Sequence, residues 1–165
     1  MTLLAAIAVL TNAAFTVAFD DVTRCPAWVE YDLEPGEVIV TNRAAIPFRA
    51  DPRVAASDVG ADYLRSGFDR GHMAPAADFN FDRGALEETY LFTNICPQRP
   101  TLNRGRWAEI EAEIRRLAES GTVHVLTFPE FEGTNRIGRV RVPSAFVKVA
   151  WGNFGVKAWR CENKQ

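Results

Sequence analysis

Two histidines and three cysteines are all that the 165 residues offer of the soft metal ligands, and no two cysteines stand as Cys-x-x-Cys. That excludes the usual zinc-binding spacings. No internal repeat and no heptad pattern is present, which excludes solenoid arrays and coiled coils. Nor is there a surplus of positive charge: the formal net charge is -2. The chain is therefore not a uniformly basic nucleic-acid-binding module, and any such contact must rest on a local basic face. Arg99, Arg104, Arg106, Arg115 and Arg116 crowd into one segment that could form it. What is present is 47% hydrophobic and 24% charged, an ordinary globular mixture, and the length suits one domain with a real core.

The N-terminus carries no charge from Thr2 to Phe19, and Leu3 to Leu10 is compactly apolar. This pattern predicts a signal peptide over residues 1–18, cut after Thr16-Val17-Ala18, with one domain over 19–165 and export to the periplasm or medium. An uncleaved membrane anchor is the alternative, although Thr11 and Asn12 interrupt the run and it is short for a span. An oxidising compartment would suit a Cys25–Cys161 disulfide tying the two ends together, with Cys96 as a buried small residue.

The alternation of Ala27 to Leu33 predicts a strand, and Glu37 to Thr41 a second one after the Pro35-Gly36 turn. Arg49 to Ser66 reads as a surface loop, Phe68 to Met73 as a short strand, and Ala74 to Glu88 as loop with a short helix. Tyr90 to Ile95 reads as a buried strand. Trp107, Ile110, Ile114 and Leu117 recur at three- and four-residue steps, so a helix is expected over 103–120, capped by Asn103 and stopped by Gly121. Strands are expected at Thr122–Phe128, Arg136–Arg141, Ala145–Trp151 and Val156–Cys161. The sum is an α+β fold, a mostly antiparallel sheet with one principal helix.

Asp69-Arg70-Gly71-His72, on a strand, and Asn103, Glu111 and Arg115, at helical spacing, form a constellation suited to phosphodiester hydrolysis. A neutral histidine can activate water near neutral pH. A divalent ion can polarise the phosphate and stabilise the leaving oxygen. Magnesium keeps most of its waters and needs few protein ligands, so one Asn oxygen at position 103 suffices, with Glu111 acting through metal-bound water. Four-residue steps put Asn103, Trp107, Glu111 and Arg115 on one side of the helix, where Arg115 can reach phosphate or pair with Glu111. Trp107 itself belongs to the core, and His124, flanked by Val123 and Val125, reads as structural.

Three motifs in order resemble those of the DNA/RNA non-specific endonucleases, the ββα-metal (His-Me finger) family. They are Asp69-Arg70-Gly71-His72, Asn94-Ile95-Cys96-Pro97-Gln98, and Leu102-Asn103-x-Gly105-x-Trp107 followed by Glu111 and Arg115. The resemblance implies His72 as general base, Asn103 as direct ligand of Mg2+ (or of Mn2+ or another divalent cation), and Glu111 as a ligand through water. It implies that Arg70 and Arg115 neutralise phosphate, and that Asp69, Asn94 and Gln98 position the site. Arg104 and Arg106 make the metal helix more basic than in relatives and are candidates for substrate contact. The implied activity is cleavage of single- or double-stranded DNA and RNA with little sequence preference, leaving 5′-phosphate ends; a protein inhibitor is a further expected partner. Two rivals remain: a non-catalytic nucleic-acid-binding or interaction protein on the same fold, and a phosphodiesterase for small nucleotides.

Overall fold

The computed structural model describes residues 6–37 and 45–164. In chain order the elements are β1 (Ile7–Thr11), β2 (Phe15–Asp20), β3 (Cys25–Leu33), β4 (Asp69–His72), α1 (Arg83–Glu88), β5 (Ile95–Gln98), α2 (Pro100–Asn103), α3 (Arg106–Ala118), β6 (Val123–Glu130), β7 (Arg136–Ile137), β8 (Val140–Arg141), β9 (Ala145–Gly152) and β10 (Gly155–Glu162). Six of the strands make one antiparallel sheet in the order β1-β2-β3-β6-β9-β10, while β4-β5 and β7-β8 are separate two-stranded ladders. The fold is α+β, as the patterning predicts.

Alternation explains the sheet. In β6 every second residue, Val123, Val125, Thr127 and Pro129, is buried and the intervening ones are half-buried. In β3 Val29, Tyr31 and Leu33 face inward while Glu30 and Asp32 face water. The inner face receives α3 through Trp107, Ile110 and Ile114, all essentially inaccessible. Each such side chain stabilises by roughly 1.5–3 kcal/mol, and the Trp107 ring lies 5.7 Å from that of Phe146 in β9.

Four expectations change. Residues 7–18, read as a leader, form β1 and most of β2, and β2 pairs along β3 from Phe15↔Tyr31 to Asp20↔Cys25. Val17, Ala18 and Phe19 are fully buried, so the apolar run that reads as a signal core is here packed into the sheet. Among the described residues no helix is long and apolar enough to cross a membrane. Cys25, Cys96 and Cys161 are all free thiols. Cys25 donates to the Arg141 carbonyl at 3.5 Å and neighbours Cys96 rather than Cys161. The strand expected over 90–95 begins only at Ile95, because Phe92–Asn94 coils into a 3-10 turn whose burial resembles that of a strand. Finally, Asn103 does not cap the long helix. It ends the one-turn α2, and Gly105 stands at the head of α3. A Cβ at Gly105 would sit 2.6 Å from the Thr101 carbonyl, so the break between the two helices requires glycine there. The second expected strand, over 37–41, lies outside the described residues beyond Glu37.

Candidate active site

β4 runs antiparallel to β5, with Asp69 opposite Gln98 and His72 opposite Ile95. Between them Gly71 faces Cys96, and the Gln98 side chain lies over its Cα. A Cβ there would fall 2.4 Å from Gln98 Oε1. The glycine of the motif is thus fixed by the glutamine of the next one, whose side chain is fully buried.

Arg70 and His72, two residues apart, share one face of β4. Phe48 touches both: its ring is 5.4 Å from the His72 ring and 5.4 Å from the Arg70 guanidinium carbon. Tyr90 meets the imidazole edge-on at 5.1 Å, and Tyr63 lies 5.8 Å from the same guanidinium. Phe48 is held there because Arg49, bridged to Leu91, donates its N–H to the Tyr90 carbonyl at 3.1 Å and accepts from Phe92 N–H at 2.9 Å. Just past His72 the chain is clamped by Asn94, which is fully buried. Its amide oxygen accepts from Ala74 N–H at 2.9 Å, and its Nδ2 donates to the carbonyls of Ala74 and Thr89 at 2.9 and 3.0 Å. That uses both amide protons and one of the two oxygen lone pairs, so the exit of the chain from His72 is closely fixed.

His72, Asn103 and Glu111 come from β4, α2 and α3 and line one cavity of about 140 Å³, walled further by Pro75, Ala76 and Tyr90. Asn103 Nδ2 donates to Asp69 Oδ2 at 2.9 Å. Arg104 grips the same carboxylate with two bonds of 2.9 and 2.7 Å. Burial pushes the Asp69 carboxyl up, but the bonds from Arg104 and Asn103 outweigh it and hold it below its ordinary range. Asp69 thereby orients the Asn103 amide with its nitrogen tied. Neither Asn103 Oδ1 nor the Glu111 carboxylate accepts a hydrogen bond among the described residues. Burial is the largest influence on Glu111 and raises its carboxyl to about 7; Lys148 pulls it down, Asp78 pushes it up and Arg115 pulls it down.

Behind the cavity lies a charge cluster that the sequence did not announce. Lys148 of β9 is fully buried. Its ammonium donates to the Met73 carbonyl at 3.1 Å and sits 5.0 Å from the centre of the Trp107 ring. Burial lowers its pKa, and Glu111 and Asp78 resist that shift. Asp78, also fully buried, accepts from Tyr31 and from Arg115 at 2.8 Å each. Removing one member of a buried pair of this kind costs about 3–5 kcal/mol.

The structure therefore brings His72, Asn103 and Glu111 together, with Arg70 beside them and Asp69, Asn94 and Gln98 as their neighbours. Arg115 is not paired with Glu111, because Asp78 takes it. Arg104 is bound to Asp69, and Arg106 turns to Glu109 on the exposed side of α3. His124 is half-exposed on the outer face of the sheet, bonded to Asp32 at 2.6 Å. Phe48, Tyr90, Asp78 and Lys148 were missed. Nothing local marks them, since each meets the site only through the folded packing.

Comparison with known proteins adds to this geometry. Mitochondrial endonuclease G of Bos taurus is 33% identical over 156 residues, spanning 84% of this chain and 52% of the relative. Mitochondrial nuclease 1 of Schizosaccharomyces pombe is 46% identical over 125 residues, spanning 72% of this chain and 38% of that protein. The chain thus spans about half the length of the endonuclease G that it matches. The crystal structure of an EndoG/EndoGI complex superposes with a TM-score of 0.87 at 27% identity, covering 94% of this chain and 74% of that one. Residues 3–164 match the family described as DNA/RNA non-specific endonuclease, a stretch that includes β1 and β2, and the chain belongs to that family.

Proposed function

We propose that this domain is a metal-dependent endonuclease that hydrolyses DNA and RNA with little sequence preference. The observation that carries the reading is the single cavity shared by His72, Asn103 and Glu111. His72 takes the proton of the attacking water. Asn103 Oδ1 and Glu111 would hold a hydrated Mg2+. Two hard oxygen donors without other bonds suit that ion, and the absence of any cluster of three His, Cys, Asp or Glu ligands among the described residues suits an ion that keeps most of its waters. When bound, the ion supplies Lewis-acid stabilisation of the phosphate and of the leaving 3′ oxygen. Arg70, packed on aromatic rings and with its Nε bonded to nothing among the described residues, offers its guanidinium to a phosphate oxygen. Asp69 fixes the Asn103 amide, and Asn94 and Gln98 fix the strands that carry His72. Arg115 works through Asp78, whose charge it balances beneath Glu111. Contacts to phosphate and sugar carry no base information, which suits indifference to sequence. A protein inhibitor is a second partner, by analogy with the EndoG complex.

The direct test is supercoiled plasmid incubated with Mg2+ or with EDTA. Nicked and then linear DNA only with Mg2+ is expected. Turnover confined to small phosphodiesters would move the reading to the small-nucleotide phosphodiesterase, and binding without cutting to the non-catalytic protein.

Asn103→Ala is expected to weaken Mg2+ binding by about 10-fold or more, the range seen when a metal site loses a ligand's support, while thermal unfolding stays near that of the parent. Calorimetric titration of both proteins reads this, and equal affinities would reject Asn103 as the ligand. Because Glu111 is charged only above about 7, Mg2+ should bind more tightly at pH 8 than at pH 6, where a proton competes for the same carboxylate.

A further inference from the structure

At the end of the β4-β5 ladder remote from His72, a second cavity of about 420 Å³ opens. Phe68 and Arg99, the residues that flank the ladder there, line it together with Asn135, Arg136, Lys164 and Glu132. Three cations meet two carboxylates, Glu132 on the wall and Glu162, which holds the Lys164 ammonium, in a protein whose overall charge is -2, so positive charge is still in local excess.

Arg99 is the telling residue. Its guanidinium lies 4.2 Å from the centre of the Phe68 ring and makes no side-chain hydrogen bond or ion pair among the described residues. Its Nε is out of contact with solvent and still unbonded. A buried donor left unused is costly, and a stacked guanidinium with free donors is suited to a planar or tetrahedral oxyanion. The wall around it is fixed in advance. Asn163 accepts from the Arg99 backbone N–H at 2.7 Å and donates to the carbonyls of Pro97 and Pro143 at 3.0 and 2.9 Å. The C-terminal end of the chain is thereby stapled to β5 and to the turn before β9. Four residue steps lead from Phe68 to His72, roughly 13 Å at strand rise, and nucleic acid carries one phosphate per about 3.4 Å of axis on each strand.

We propose that this cavity is a phosphate subsite for the substrate strand, a few nucleotides from the scissile bond, with Arg99 as its principal ligand and Arg136 as a supporting charge. The assignment rests on the nuclease reading of the neighbouring site.

The experiment measures binding of a fluorescein-labelled 16-nucleotide DNA duplex by anisotropy in EDTA across a salt series, for the parent, Arg99→Met and the exposed-site variant Arg136→Met. Initial rates on the same duplex and on a dinucleotide follow in Mg2+. Arg99→Met is expected to weaken duplex binding on the order of tenfold and to flatten the log-affinity against log-salt slope by about 0.9. KM for the duplex should rise with kcat unchanged, and the dinucleotide, too short to reach the cavity, should be hydrolysed as by the parent. Arg136→Met should flatten the slope in the same direction, which guards against an Arg99 variant that merely folds poorly. Unchanged slopes in both variants overturn the subsite, as does an Arg99 effect seen with inorganic phosphate or a mononucleotide and not with the duplex. A parent protein that binds DNA in EDTA through Arg99 and yet fails to cut in Mg2+ overturns the nuclease reading instead, so the two failures are distinct.

Discussion

His72→Ala is expected to lower kcat on supercoiled DNA by about 10²–10⁴-fold, the loss associated with removal of a general base. The imidazole reaches the shared cavity, and Phe48 and Tyr90 hold its ring from two sides. Removing it leaves Asn103 and Asp69 where they are, because the hydrogen bonds described for them run to each other and to Arg104. Mg2+ affinity should therefore be that of the parent. Added imidazole should restore part of the rate by entering the space between the two rings. Steady-state rates with and without imidazole, beside a magnesium titration, read all three expectations. Near-parental turnover in a clean preparation would reject His72 as the base, and a loss of metal affinity would show that the substitution had disturbed the site rather than the proton transfer.

Removing residues 1–18 is expected to abolish cooperative folding. The cut would take all of β1 and four of the six residues of β2. Phe15 and Val17 leave the core, which alone forfeits roughly 3–6 kcal/mol. The loss also bares the edge of β3 and the inward Val29 and Tyr31 that β2 covers. Against the typical margin of about 5–15 kcal/mol for a whole domain, the deletion is close to total. Circular dichroism on heating the truncated and full chains measures it. A truncated protein that melts cooperatively near the parental temperature would support the leader reading and remove β1 and β2 from the essential fold.

These outcomes bear on how much the sequence disclosed. Strands with one wet face were legible: Glu30 and Asp32 alternate with Val29, Tyr31 and Leu33, and the period is unmistakable. The apolar face of α3 was legible for the same reason, down to Trp107, Ile110 and Ile114. β2 was not, because Ala18 is buried as well as its neighbours Val17 and Phe19, and a strand covered on both faces gives a continuous apolar run that periodicity cannot separate from a leader. The 3-10 turn at Phe92–Asn94 is hidden in the same way, since burial without regular period reads as a strand. Asn103 was misplaced by the amphipathic pattern running on into α2, where Gly105 alone records the break. Within the site, His72, Asn103 and Asp69 could be named from the motifs that resemble the family's, while the meeting of His72 and Asn103 in one cavity came from the packing of β4 against α2. Lys148 and Asp78 could not. A lysine in an alternating strand reads as a solvated residue, and only the three-dimensional meeting of β9 with Met73 and Trp107 makes it a buried cation.

The central claim is that His72 and Asn103 act as parts of one catalytic centre, and a double-mutant cycle tests it most directly. kcat is measured on one supercoiled plasmid, at saturating Mg2+, for the parent, His72→Ala, Asn103→Ala and the double variant. Groups that work as a unit lose their effect together, so the double variant should be little slower than the slower single variant. Losses that multiply, as for independent sites, would contradict the account and separate the histidine from the asparagine.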